Sequence, residues 1–457
     1  MPQNEKPGIA LISLGCPKNQ VDSEVMLGLL DEAGYPIVDD VTGADIVIIN
    51  TCAFIEPAQE EAVEALLDMA ELKENEEITG VICTGCLPQR FGQALVDEFP
   101  EIDAFVQIGA EPDIVEIVQQ VHHGSRAFFE HEGGYRLTSD LPRWRSAPEW
   151  LAYVRIAEGC DRACTFCTIP SIRGPYRSRT PDDIMTEYAR FVAEGVREII
   201  LIAQDTTRWG RDLDDDLSLA DLLDHISTVD YDGWTRLMYA YPTALTSTVL
   251  EALAGCGSCV PYIDIPLQHA SADILRRMGR PGDSASYLSL LQQIRTILPD
   301  AAIRTTFLLG FPGETDDDFE DLLDFVYEAR FDRVSAFIFS PEEGTPAAQM
   351  PDQVSVPVMM DRLAELMRTQ EDIAYDKNQQ FVGQTMRVLI ESRAPGRDIW
   401  FGRSYRDAPE IDCQVKVEAE GAELTVGRFY QVDITSAEVH DLNGEVVHTS
   451  EAFAPDR

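Results

Sequence analysis

The sequence predicts an α/β protein in three parts. These are an N-terminal parallel α/β domain over residues 8–122, a central partial (β/α) barrel over 151–380, and a small C-terminal all-β barrel over 382–450. Three observations carry this. Apolar strand-like runs alternate with amphipathic helical runs in the first part. Six more strand–helix units follow. The pattern then changes to alternating apolar and polar residues, the period of half-buried strands.

In the first part, Ile9 to Ile12 precedes a helix near Ser23 to Leu30, and Asp45 to Ile49 precedes one near Gln59 to Leu72. Ile78 to Ile82 precedes one near Phe91 to Phe99. Each strand is followed by a cysteine: Cys16, Cys52 and Cys86. Open α/β sheets gather their sites at the carboxyl ends of strands, so these three are candidate ligands of one centre. Buried core cysteines are the alternative. Residues 126–150 read as a linker, with Glu132-Gly133-Gly134, Pro142 and Pro148 in a stretch of weak periodicity.

The central part starts at the strand Ala152 to Ile156, which feeds the run Cys160-Asp161-Arg162-Ala163-Cys164-Thr165-Phe166-Cys167. Further strands are expected at Glu198 to Ala203, Arg236 to Tyr239, Tyr262 to Ile265, Ile303 to Leu308 and Arg333 to Phe339. Six units suit a partial barrel, whose chemistry collects at strand C-termini. A long helix is expected from Val356 to Gln380. Beyond it, Thr385 to Glu391, Asp412 to Val417 and Gln431 to Ile434 alternate as strands of an OB-like barrel.

The spacing of Cys160, Cys164 and Cys167 is C-x3-C-x2-C. Three thiolates this close can hold three irons of a 4Fe-4S cluster and leave the fourth open to a small molecule. A zinc site usually shows paired cysteines or histidines at both ends, and no histidine follows nearby.

Composition narrows the partners. The 457 residues carry 80 acidic and 36 basic side chains, a net charge of −44, and lysine only at positions 6, 18, 73, 377 and 416. Such a chain repels free nucleic acid at long range and attracts basic partners; a salty cytoplasm selects the same acidity. From Val382 to Arg457 there are eight basic and fourteen acidic residues, a balance unsuited to RNA. This terminal part is expected to dock a basic protein. No apolar run is long enough to span a bilayer, and the polar start Met1 to Gly8 lacks a signal-peptide pattern, so a cytoplasmic place is expected. In that reducing setting the ten cysteines read as ligands or free thiols. Cys83 forms C-x2-C with Cys86, but a redox or zinc pair is discounted because Cys86 is a candidate ligand of the first centre; Cys256 and Cys259 are read as free thiols, and Cys413 as packing within a strand.

The cysteine loop resembles the radical S-adenosylmethionine (SAM) superfamily. Leu14-Gly15-Cys16-Pro17-Lys18-Asn19, Asn50-Thr51-Cys52 and Thr84-Gly85-Cys86 are similar to the N-terminal domain of its methylthiotransferases. So are Ile169 to Arg179 and Gly310-Phe311-Pro312-Gly313-Glu314-Thr315, and the terminal segment resembles their TRAM domain. Cys16-Pro17-Lys18-Asn19 and Tyr405 to Asp412 resemble the RimO branch, which methylthiolates the β-carbon of an aspartate in the small-subunit ribosomal protein S12. The tRNA (adenosine) branch has the same architecture and is the alternative; a non-catalytic iron–sulfur carrier is disfavoured, because both triads leave an iron open.

The resemblance implies two 4Fe-4S clusters, one on Cys16, Cys52 and Cys86 that carries sulfur and one on Cys160, Cys164 and Cys167 that binds SAM. It also implies two SAM per turnover, a sulfur donor and an electron donor such as flavodoxin. The radical is needed because an unactivated β-carbon C–H is hardly acidic. Candidate SAM contacts are Gln204 and Asp205 after one barrel strand, and Gln268 and His269 after another. Arg173 is a candidate bidentate partner for the SAM carboxylate. Gly310, Pro312 and Gly313 could let backbone approach the adenosine. For each of these, an ordinary turn or strand-end role is the competing reading.

Overall fold

The computed structural model describes residues 6–130, 137–214, 217–419 and 421–447. The linker stretch Glu132-Gly133-Gly134 and residues 448–450 lie outside them.

The N-terminal sheet holds β1 (Ile9–Ser13), β2 (Ile46–Thr51), β3 (Gly80–Gly85), β4 (Ala104–Val106) and β5 (Ala127–Phe129), in that order. Neighbouring strands are all parallel. β2 and β3 are buried throughout, as both-sided parallel strands must be. The sheet therefore extends past residue 122: Ala127–Phe129, placed in the linker from sequence, pairs with β4. The described residues 137–150 of that linker are anchored. Arg143 reaches Glu24 and, at 2.7 Å, Glu187.

Helices follow the first three strands: α1 (Pro17–Glu32), α2 (Glu56–Glu74) and α3 (Cys86–Phe91). Proline at the first turn starts α1 and α2, where a missing N–H costs nothing. α1 is unusual in burying Lys18, Asn19, Asp22, Ser23 and Glu24. It packs between its own sheet and the barrel, so its polar residues face a second domain.

The central domain has β6 (Leu151–Arg155), a short antiparallel pair β7 (Ala157–Glu158) and β8 (Arg177–Ser178), then β9 (Glu198–Ile202), β10 (Trp234–Leu237), β11 (Tyr262–Asp264), β12 (Ala302–Leu309) and β13 (Arg333–Ile338). Two parallel sheets, β10-β9-β6 and β11-β12-β13, are stitched where Thr235 donates to Ser258 O and accepts from Val260 N–H. Six parallel strands thus form an open arc. The small β7–β8 clamp holds the base of the cysteine loop.

The C-terminal part is a closed barrel of β14 (Thr385–Arg393), β15 (Ile399–Ser404), β16 (Val415–Glu418), β17 (Phe429–Ala437) and β18 (Leu442–Val446), in the order β14-β15-β16-β18-β17. Cys413 precedes β16 instead of lying in a strand. The expected free thiols Cys256 and Cys259 are disulfide-bonded. The turn after the helix Ser247–Gly255 brings their Cα atoms to 5.2 Å, within the usual range for a bridge.

Buried ion pairs fix the terminal barrel to the N-terminal ends of the central strands, the end opposite the cysteine loop. Glu198, at the start of β9, meets Arg236 and Arg403, each at 2.6 Å. Arg333 meets Asp407 at 2.6 Å, Arg406 meets Asp332 at 2.7 Å, and Tyr262 donates to Asp412 at 2.6 Å. Burial pushes the Glu198 pKa up, but Arg236 and Arg403 outweigh it and hold the carboxyl below its usual value of 4.5. A depressed folded pKa gives stability that is present above that value and is lost as pH falls below it. Arg403→Met is expected to cost about 3 kcal/mol at neutral pH, because it removes one partner of a buried charge. The deficit shrinks on acidification as Glu198 protonates. Thermal unfolding of variant and wild type across pH checks both points.

Candidate active site

Cys16 caps α1, Cys52 follows β2 and Cys86 opens α3, so all three stand at strand C-terminal ends. The sequence spaces them 36 and 34 residues apart, and the parallel register brings them together. Asn19 is their common neighbour. Its Oδ1 accepts from the thiols of Cys16 and Cys86, each at 3.8 Å. Its Nδ2 donates to Leu14 O at 3.1 Å and Thr51 O at 2.9 Å, which fixes the amide. A Cβ at Gly15 would lie 2.8 Å from Cys52 Cβ, so the chain must pass there as glycine at φ +94°.

Arg173 closes this group. It ends the short helix Ile169–Arg173 and is 4% exposed. Its guanidinium donates to Asn19 Oδ1 at 2.5 Å, Asp22 at 2.9 Å and Cys86 Sγ at 3.8 Å. Asp22 and Asn19 thus hold Arg173, a candidate for the SAM carboxylate, on the N-terminal side. Burial acts against its charge, but Glu158, Cys86 and Asp22 hold it protonated. Arg155 shares Asp22 at 2.6 Å and Glu158 at 2.9 Å.

The second triad lines a cleft at the C-terminal ends of β9, β10 and β11. Cys160, Cys164 and Cys167 share it with Gln204, Asp205, Tyr239, Tyr241, Gln268 and Arg280. Arg280 donates to Cys164 Sγ at 3.7 Å and Pro266 O at 2.6 Å. Arg162 pairs with Asp205 at 2.8 Å and lies over the Tyr241 ring at 3.7 Å. Gln204 Nε2 donates to Glu158 at 2.9 Å, while its buried Oε1 has no hydrogen-bond partner among the described residues. Gln268 holds a left-handed backbone at φ +74°, pinned by bonds to Thr306 and Leu308.

Gln204, Asp205 and Gln268 therefore line the cleft, whereas other candidates do not. Gly310 and Gly313 are not among its lining residues. A Cβ at Gly310 would strike Met359, and one at Gly313 would strike Arg277, so both serve packing and positive φ. His269 is fully buried, accepts from Ser271 N–H at 3.0 Å and lies 3.5 Å from Glu314. Residues that sequence reasoning missed are Glu158, Arg162, Arg280, Tyr239 and Tyr241. Glu158 is the most telling, because it joins Gln204 on one side to Arg173, at 3.5 Å, on the other. A carboxylate two residues before the first cysteine of the loop was the available signal.

Each triad offers three thiols. Cys83 is buried within β3, Cys413 stands by the terminal barrel, and Cys256 and Cys259 are bridged. Among the described residues no three His, Cys, Asp or Glu close on a single metal ion. A four-iron cube spaces its thiolates more widely than one ion does, and both donor sets fit it. Burial pushes the Cys86 and Cys167 thiols up to about 12 and also raises Cys52 and Cys160. Iron must therefore displace protons on assembly. The orphaned Gln204 Oε1 beside the second triad suits a hydrogen-bond donor on a bound small molecule.

Comparison with known proteins agrees with this arrangement. The model of "Uncharacterized protein family UPF0004" matches residues 8–107, the Radical SAM superfamily matches 154–326, and the TRAM domain matches 382–447. The ribosomal protein uS12 methylthiotransferase RimO of Trichlorobacter lovleyi is 42% identical over 97% of this chain and 98% of its own. That of Acaryochloris marina is 44% identical over 97% and 99%. Among solved structures, the radical SAM methyltransferase TsrM from Kitasatospora setae shares the fold. With tryptophan and a SAM analogue bound, it has a TM-score of 0.56 at 14% identity over 81% of this chain and 90% of that one. Full-length similarity at this level, over three matching domains, settles the relationship: the chain belongs to the RimO family of radical SAM methylthiotransferases.

Proposed function

We propose that this chain places a methylthio group on the β-carbon of an aspartate in ribosomal protein uS12. The observation that carries this is the joining of the two thiol triads. Gln204, Glu158, Arg173 and Asn19 form one continuous hydrogen-bonded chain from the second triad's cleft to the thiols of Cys16 and Cys86. A sulfur-bearing centre and a radical-generating centre must face one substrate atom, and this chain holds them side by side. The names of full-length relatives supply the acceptor.

Cys16, Cys52 and Cys86 would hold the cluster that bears sulfur, and Cys160, Cys164 and Cys167 the cluster that binds SAM. When bound, the latter pair supplies a carbon radical able to take hydrogen from an unactivated C–H. The chain's own residues do the positioning. Arg173 sets a fixed positive charge beside Cys86, and Asn19 locks Cys16 to Cys86. Gln204, Gln268 and the Tyr241 ring, with Arg162 and Arg280 over it at 3.7 and 4.6 Å, shape the SAM side. A net charge of −44 favours a basic ribosomal protein over tRNA. An external electron donor such as flavodoxin and a sulfur donor complete the set. No helix among the described residues is long and apolar enough to cross a membrane, and we place the protein in the cytoplasm, with its ribosomal substrate.

Anaerobically reconstituted enzyme, given SAM, sulfide and reductant, is expected to modify uS12 and to leave bulk tRNA unchanged by mass spectrometry. Modified tRNA with unmodified uS12 would reassign it to the tRNA branch.

A further inference from the structure

Lys18 is poorly matched to its surroundings. It is 7% exposed, on the first turn of α1, two residues after Cys16. Its ammonium lies 3.3 Å from the centroid of the Tyr239 ring. Tyr239 lines the cleft of the other triad. Lys18 therefore reaches from the sulfur side to the SAM side, at the junction of the two centres.

An ammonium has three donors, and among the described residues none of them meets a hydrogen-bond or ion-pair partner. Burial and the nearby Arg173 hold its pKa below the usual lysine value, while Cys16, Glu158 and Asp264 favour the charge, the two carboxylates without reaching ion-pair distance. The other cations of the cleft are engaged: Arg162 pairs with Asp205, and Arg280 binds Pro266 O and Cys164 Sγ. A buried charge is costly unless it is paired, and a ring face is a weaker partner than an anion. Its place between the two triads suits an anion brought to that junction.

We propose that Lys18 receives the carboxylate of the aspartate being modified and selects the acid over its amide. This rests on the functional reading above. The carboxyl carbon of aspartate is bonded directly to the β-carbon. Holding the carboxylate at Lys18 therefore holds the reacting C–H between the two triads. Asparagine matches aspartate in shape but carries no charge, so it isolates the contribution of Lys18.

The test uses reconstituted full-length enzyme and two uS12 peptides, with aspartate or asparagine at the target position. In wild type the aspartate peptide is expected to have the higher kcat/KM. Lys18→Met is expected to narrow that ratio by roughly 10- to 100-fold, the range for a hydrogen bond to a charged group. Lys18→Arg is expected to restore part of it. A ratio within one variant does not depend on the fraction folded, and iron content reports separately on both clusters. An unchanged ratio in Lys18→Met overturns the proposal. So does a rise confined to KM for SAM, which would assign Lys18 to the cofactor. If wild type makes no methylthio-aspartate at all, the functional reading itself fails and this inference falls with it.

Discussion

Changing Cys160, Cys164 and Cys167 together to alanine is expected to abolish reductive SAM cleavage and to remove about half of the iron. Two four-iron clusters require about eight irons per chain. The cleft explains why the loss is complete. The three thiols line it together with Gln204 and Gln268 from two strand ends and Arg280 from the loop after a helix, and among the described residues no other free cysteine lines it. Iron analysis and quantification of 5′-deoxyadenosine check the result. Retained SAM cleavage in this variant would contradict the assignment of the site.

Changing Cys16, Cys52 and Cys86 to alanine is expected to have the complementary effect. 5′-Deoxyadenosine still forms, but the methylthio product falls to background. These thiols lie across the Glu158–Arg173 link from the SAM cleft, on a separate domain. The β7–β8 clamp and the bonds of Arg280 that hold the second triad do not depend on them. A methylthio product at the wild-type rate would sink the division of labour. Arg173 is a point of caution in design. It pairs with Asp22 as well as facing Cys86, so its removal would disturb the domain junction as well as the thiols.

Much of this was legible in the sequence, for a physical reason. Parallel strands end at one edge, so a residue just after each strand joins its counterparts whatever their separation. Cys16, Cys52, Cys86, Gln204 and Gln268 were all found in that way. The contacts of Arg173 were not legible in this way, because it is on a helix and its partners Asp22 and Asn19 lie 151 and 154 residues away. The strand-end rule says nothing about which way a helix turns a side chain. Gly310 and Gly313 signal close approach without naming what approaches; in the structure Met359 and Arg277 stand where a Cβ would be.

The docking of the terminal barrel was also hidden. Its composition changes abruptly, as a free-standing module's does, and an acidic domain invites a basic partner. Yet Arg403, Arg406 and Asp407 spend their charges on Glu198, Asp332 and Arg333 of the central domain. A formal charge count cannot tell a buried pair from an exposed one. Deleting Val382 to Arg457 would strand those partners, so point variants on the exposed face are the better probes of binding. The strand Ala127–Phe129 was missed because three residues are too few to show a period.

The most direct test of the account is mass spectrometry of uS12 and bulk tRNA from cells lacking this chain, beside cells that carry it. The predicted result is loss of the methylthio group from the uS12 aspartate, with tRNA methylthiolation unchanged, and restoration by wild type but not by either cysteine-triad variant. Unaltered uS12 with loss of tRNA methylthiolation would contradict it.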